Sequence, residues 1–403
     1  MIKYSPLEYI MIDIANHKGM DRLSFEARIE WVEMNIDVLE SVTDIAKDKY
    51  RYTAAVMALR EIEAGKPTGH LVGLDACASG PQIMSAFMRC EVGARNTGLI
   101  GQVRADIYTK TTQIMNGVLN KVIDYDRKTV KYALMPFYYG SVKRPREAFG
   151  EGEELTAFYK AQEQVAPGAA KIMNIMLDCW QPLAEEYTWV MPDGFEVKIK
   201  VTQQYENKIE VDELENHPTF VYQYDEIEGK AEGRAVPANV VQATDGMIVR
   251  EMNRRCNYNK DAFTKVRKLL IKRLGQKHLN GVELDSIQKL WMKHWFLSLV
   301  DVEELTWDDV KTFDFTYTDG LIKLIDRSLA RPSFPVIMVH DEFKCHPNYM
   351  NWIRQTYIEI LAEISDSNMI EAILSEITGE DIKVPKLADS ISELILESDY
   401  ALS

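Results

Sequence analysis

Paired cysteines are missing from this sequence. Five cysteines, at 77, 90, 179, 256 and 345, are scattered over 403 residues with no CxxC pair, which argues against a disulfide framework or a zinc site. No apolar run reaches the roughly 18 uninterrupted residues of a membrane-spanning helix, so no membrane partner is expected. The first twenty residues, MIKYSPLEYIMIDIANHKGM, carry charges too early for a secretory signal, and a cytoplasmic location is the expectation. Positive charge is also short. A net charge of −15 repels phosphate and argues against tight, non-specific nucleic-acid binding. The deficit is uneven, however. From Arg250 to Lys277 ten Lys or Arg stand against two acids, Glu251 and Asp261; such a run reads either as a solvated helix face or as a strip that contacts phosphate. From about Glu359 onward acids dominate.

What is present is enough apolar residue for a full core and a pattern that is mostly helical. Ile29, Val32, Ile36, Leu39, Val42 and Ile45 recur at three- and four-residue steps and predict a helix over 24–60. A loop rich in glycine follows at 63–69, then a short apolar strand in HLVGLDACASG that ends on Asp75. Residues 102–135 read as largely helical. Alternation at Phe195, Val197, Ile199 and Val201 predicts a long β-ribbon over 194–228. Residues 261–300 read as helices, 335–343 as a buried strand, and the chain from about 348 as helices again. The tripeptide TDG at 244–246 and 318–320 is too short to count as a repeat. Helices with a few strands indicate the α+β class.

Asp75 and Asp341 each stand at or near the end of a strand. Two such strands side by side would bring two carboxylates together, and bare carboxylates at that range repel until one takes a proton near neutral pH. A divalent cation removes the conflict. Mg²⁺ prefers one or two carboxylates, some water and substrate phosphate, and paired ions about 3.5–4 Å apart suit in-line displacement at phosphorus. Either aspartate alone reads more readily as the cap of a turn.

The segment RKTVKYALMPFYYG (127–140) adds a third feature. Arg127, Lys131, Met135 and Tyr139 are spaced by four and would form one stripe on a helix. Two cations, a thioether and a phenol are poor core material. They suit a triphosphate lying along the cations with base and sugar at the Met135 and Tyr139 end. An amphipathic surface helix with a chance repeat of four is the plainer alternative. Pro136 lies inside the stripe, removes a backbone bond and crowds the Tyr132 carbonyl, so a kink is expected before Tyr139.

Together these segments resemble the single-subunit DNA-dependent RNA polymerases of T-odd phages and mitochondria. LDACASGPQIMSAFMRCEVGARN (74–96) is similar to the family's first palm motif, R-xxx-K-xxx-M-xxx-YG (127–140) to its fingers-helix motif, and VHDEF (339–343) to its second palm motif. Weaker likenesses are GMDRLSFEARIEWVEMN (19–35), ADIY (105–108), WVMPDGFEV (189–197), VPANVVQATDG (236–246) and LESDYALS (396–403). The resemblance implies a right-hand polymerase fold: a first palm part over 1–100, fingers over 101–242 with a specificity-type hairpin near 194–228, and a second palm part over 243–403 carrying an insertion near 250–330 and a foot-like end. It implies that Asp75 and Asp341 bind Mg²⁺, with the Ala76 carbonyl as a further ligand. Arg22, Arg127 and Lys131 would hold the triphosphate. Tyr139 would favour a ribonucleotide, Tyr108 would help position nucleotide or template, and His340 would orient the primer end.

The sequence departs from the family in places. Gln242 stands where the family senses the ribose with histidine. The family's long front portion, with its N-terminal domain and thumb, has no counterpart here, so a second polymerase subunit is the expected partner, as in a split two-chain phage enzyme. The other implied partners are template DNA, the RNA transcript, NTPs and a recruiting protein that binds single-stranded DNA, all in the cytoplasm of an infected bacterium. Two other readings are a repair-type DNA polymerase, to which VHDE is closer, and a non-catalytic polymerase-like subunit that binds nucleic acid.

Overall fold

The computed structural model describes residues 1–121, 125–227, 235–276 and 284–403. Its first helix, α1 (Pro6–Ala15), opens with a capping box in which Ser5 Oγ accepts the Glu8 N–H at 3.2 Å and Glu8 accepts the Ser5 N–H at 2.5 Å. The single helix expected over 24–60 is instead three pieces. α2 (Phe25–Met34) stops at Asn35, residues Ile36–Ile45 wind as tighter 3₁₀ turns, and α3 (Lys49–Glu63) begins at an Asp48 cap. The apolar period runs through all three, but polar side chains claim the backbone at the joints. Asn35 donates to the Trp31 carbonyl at 2.7 Å, and Asp48 accepts the Arg51 N–H at 3.1 Å.

Strand β1 (Val72–Asp75) leads into α4 (Ser79–Met88), all ten residues of which are buried. α5 (Glu91–Asn96) follows. The 102–135 stretch resolves into α6 (Ile107–Leu119) and α7 (Arg127–Phe137), and α8 (Lys143–Phe149), α9 (Glu153–Val165) and α10 (Pro167–Asp178) pack behind them. Helix α7 ends one residue after Pro136. Pro136 therefore terminates the helix rather than kinking it, and Tyr139 sits in the following turn, where its N–H donates to the Pro136 carbonyl at 3.1 Å.

The ribbon expected over 194–228 divides in two. β2 (Glu186–Val190) pairs with β3 (Glu196–Lys200), whereas β4 (Thr202–Glu210) pairs with β5 (Thr219–Ile227) in a nine-residue ladder. Alternation marks residues as strand but does not name their partner; here the partner of β3 precedes it. Glu228, the last residue of the expected ribbon, lies outside the described residues.

α11 (Ala235–Cys256) crosses the centre against α4. α12 (Lys260–Leu274), α13 (Ser286–His294), α14 (Trp307–Val310) and α15 (Phe315–Leu329) then surround a smaller core of their own, built on Phe263, Leu270, Trp291, Tyr317 and Leu321. The arginines of the basic run are mostly turned to internal acids. Arg250 and Arg254 meet buried Asp193 at 2.5 and 2.9 Å, and Arg255 meets Glu251 and Glu363 at 3.1 and 2.7 Å. Arg267 pairs with Asp326. Lys265, Lys268 and Lys272 remain exposed on α12, and Lys277 lies outside the described residues.

The buried strand expected over 335–343 is a hairpin. β6 (Ile337–Val339) turns through His340 and Asp341 into β7 (Glu342–Cys345). Ile337 and Val339 are about half exposed because β6 is an edge strand of the β1-β7-β6 sheet. The chain closes with α16 (Met350–Asp366), α17 (Met369–Thr378) and α18 (Ser392–Leu396), α16 packing on both α4 and α11. The class is α+β and mainly helical. Among the described residues no helix is long and apolar enough to cross a membrane.

One buried polar group ties these parts together. The Glu251 carboxylate is fully buried and accepts from Arg254, Arg255, Ser298 Oγ at 2.6 Å and the Leu299 N–H at 3.4 Å. Removing one partner of a buried ion pair strands the other. Glu251→Ala is expected to cost about 3–5 kcal/mol in denaturant unfolding; a loss below about 1 kcal/mol would show that water or Glu363 compensates Arg255 instead.

Candidate active site

The register of β1 and β7 builds the floor of the site. The strands run antiparallel with Asp75 opposite Glu342, and the Ala76 N–H donates to the Asp341 carbonyl at 3.1 Å. Asp75 and Asp341 thus come together because Asp341 occupies the β6–β7 turn beside the end of β1. His340, the other turn residue, adopts φ +57°, a left-handed conformation that histidine tolerates better than bulky apolar residues. The chain end packs alongside, with the Ser403 N–H donating to the Asp75 carbonyl at 2.9 Å.

These residues line a cleft of about 980 Å³. All eleven residues singled out from the sequence are on its wall: Arg22, Asp75, Ala76, Tyr108, Arg127, Lys131, Met135, Tyr139, Gln242, His340 and Asp341. The wall opposite the aspartates is α7, whose Val130, Ala133 and Leu134 are buried. That places Arg127, Lys131 and Met135 on the cleft side. Arg127 is held by Asp106 at 2.6 Å and lies over the Tyr108 ring at 4.7 Å, and Lys131 lies over the same ring at 5.8 Å. Tyr108 is buried beneath both cations, so its ring supports them from below. Arg22 is exposed at the cleft edge without an ion-pair partner among the described residues.

Tyr139 closes one end. Its hydroxyl bonds Ser79, and burial, then the charge of Asp245, raises the phenol above its ordinary value. The ring fits because residue 80 is glycine: a Cβ there would stand 3.1 Å from the Tyr139 hydroxyl. Gln242, Asp245, Gly246 and Val249 line the cleft from one face of α11.

The acids carry an excess of negative charge. Burial, then Asp341 and Glu342, pushes the Asp75 carboxyl up to about 7, with Lys131 and the Ala76 N–H pulling the other way. Asp75 keeps solvent access through the cleft, so water tempers these effects. Asp245 is likewise pushed up to about 7, by burial and then Asp341. Glu342 is partly neutralised by Lys344 at 3.0 Å and Arg51 at 3.8 Å. Sequence reasoning missed Asp245 and Glu342 as members of the site. The available signal for Asp245 is its spacing from Gln242 on a helix. An all-oxygen donor set with uncompensated charge fits a hard divalent cation such as Mg²⁺. A separate group, Glu210, Asp212 and His217, clusters at the exposed tip of the β4–β5 ribbon, well apart in sequence from these acids.

Comparison with known proteins bears on what this cleft belongs to. Residues 2–145 match the family model described as DNA-dependent RNA polymerase. The DNA-directed RNA polymerase of Pseudomonas phage phiKMV is 28% identical over 139 residues, a match covering 30% of this chain and 16% of the phage enzyme's length. The matched segment contains eight of the eleven cleft residues singled out from the sequence; Gln242, His340 and Asp341 lie beyond it and reach the cleft through the fold.

The two raised carboxyls give a signed pH dependence. An unfolded aspartate titrates near 4 and these folded ones near 7, so the folded chain holds protons more tightly and loses that stability as pH rises through 7. In chelator, the thermal midpoint of the wild type is expected to fall from pH 5 to 8. Asp75→Asn should flatten this fall and melt higher than the wild type at pH 8. Mg²⁺ at pH 8 should raise the wild-type midpoint more than that of the variant. A variant that melts lower than the wild type at pH 8 without metal would contradict the assigned repulsion.

Proposed function

We propose that the chain carries the nucleotidyl-transfer site of a phage-type RNA polymerase, extending an RNA 3′ end from NTPs on a DNA template. The observation that carries this is the single cleft in which a carboxylate floor faces two cations on α7. The family-model match over 2–145 supports it. Because the matched region is a small part of the phage enzyme's length, the reaction, its substrates and any partner chain are proposals here.

Asp75 and Asp341, with the Ala76 carbonyl, would hold Mg²⁺, which when bound makes the attacking hydroxyl more acidic and screens phosphate charge. The rest falls to side chains. Arg22, Arg127 and Lys131 bind the triphosphate and stabilise the charge that develops on the departing pyrophosphate. Met135 and Tyr139 form the surface for base and sugar. Gln242 offers an amide to the ribose 2′-hydroxyl, and His340, fixed in its turn, orients the primer end. Right-hand palm and fingers regions, with the segment near 250–330 as an insertion, are part of the same reading, as are a second polymerase subunit and a single-stranded-DNA-binding recruiter.

Asp341→Asn should abolish elongation on a pre-annealed RNA–DNA scaffold while keeping the circular dichroism of the wild type and a thermal midpoint no lower than it, since the substitution also relieves the repulsion on Asp75 and Asp245. Elongation by that variant within about tenfold of wild type would remove the assignment. NTPs and dNTPs are offered in parallel, since a preference for dNTPs would favour a DNA polymerase. The assay is run with the chain alone and with any chain that co-purifies.

A further inference from the structure

Arg127 stands on a partition. One side is the 980 Å³ cleft; the other is a second hollow of about 450 Å³ that Arg127 also lines together with Arg22 and Arg104. Asp106 lines only the second hollow. It takes the guanidinium by its Nε at 2.6 Å. The two terminal amino groups of Arg127 make no hydrogen bond among the described residues. Asp106 is itself fixed. It caps α6, accepting the Tyr108 N–H at 3.1 Å and the Thr109 hydroxyl at 2.9 Å, and these donors together with Arg127 hold its carboxyl below the ordinary range against the opposing effect of burial.

We propose that Asp106 is a positioning residue acting through Arg127: it clamps the guanidinium at Nε and leaves the terminal amino groups set for an oxyanion of a nucleoside triphosphate. The inference rests on the proposed function and deepens it. A flexible arginine must be ordered when phosphate arrives, and that ordering weakens binding. Here the ordering is done beforehand, with the Tyr108 ring below and Asp106 behind. The same carboxylate also lowers the net charge that phosphate meets. The clamp therefore raises affinity only if orientation outweighs charge, and this determines the sign of the test.

Asp106→Asn separates the two roles of the residue, because an amide oxygen can still cap α6 but no longer offers Nε a charged acceptor. On the scaffold, the KM for the matched NTP should rise about tenfold, with kcat within about threefold and the thermal midpoint little changed. In an Arg127→Gln background the same substitution should add nothing. Titration with Mg-ATP should show the same weakening of Kd, independently of elongation. A KM that falls or stays level in Asp106→Asn overturns the inference, as does an equal rise in the Arg127→Gln background. If the wild type neither elongates nor binds Mg-ATP, the proposed function fails with it. If the wild type elongates and the two substitutions are additive, only the role of Asp106 fails.

Discussion

Asp75 and Asp341 are held side by side by a backbone ladder, against the repulsion of their own charges. β1 and β7 pair from Val72–Cys345 to Asp75–Glu342, and one further bond, Ala76 N–H to the Asp341 carbonyl, continues the ladder into the turn. Backbone pairing is indifferent to side-chain charge, so it can bring acids together at a cost the side chains alone would refuse. The Asp75 carboxyl near 7 is the sign of that cost. A rigid site with surplus negative charge is a standing preference for cations, and this is the property the proposed chemistry needs. The ladder packs on α1 through β1 and on α16 through β7, and α16 packs in turn on α4, which is buried along its whole length. A floor mounted on a solid core cannot relax its acids apart.

The cations opposite are ordered in a similar spirit, though by side chains. α7 is anchored through Val130, Ala133 and Leu134, and the ring of Tyr108 lies beneath Arg127 and Lys131. Pro136 ends the helix so that Tyr139 can leave the helical path and settle over Gly80. The sequence stripe at 127, 131, 135 and 139 is thus partly helix and partly turn. Its last member reaches the cleft because the helix stops, a point that a repeat of four does not contain.

Much of the site was readable in the residues because its chemistry is concentrated in short segments. The acids at 75 and 341, the cations at 127 and 131, and the cluster of small residues after Asp75 that admits Tyr139 are local features. Asp245 and Glu342 were not legible in the same way. Asp245 gains its raised carboxyl from burial and from Asp341, nearly a hundred residues away in the chain. Glu342 matters because it faces Asp75 across a strand pair. Asp106 is one letter of a weak motif in the sequence and meets Arg127 only in the fold. The basic run near 250–273 carried two readings that composition could not separate, and buried Asp193 and Glu251 together with half-buried Glu363 account for most of its arginines.

By itself the sequence determined the helix-rich α+β class, the positions of most apolar faces, and which acidic and basic side chains are on offer for the proposed chemistry, since periodicity and side-chain chemistry are properties of neighbours along the chain. Only the tertiary structure decided that 335–343 folds into a hairpin with an exposed edge, that β3 turns back to β2, and that 24–60 breaks at Asn35 and Asp48. It alone decided which acids share one charge problem. Strand partnership and electrostatic coupling depend on distance through space, and distance through space is set by packing between segments that the linear order keeps far apart.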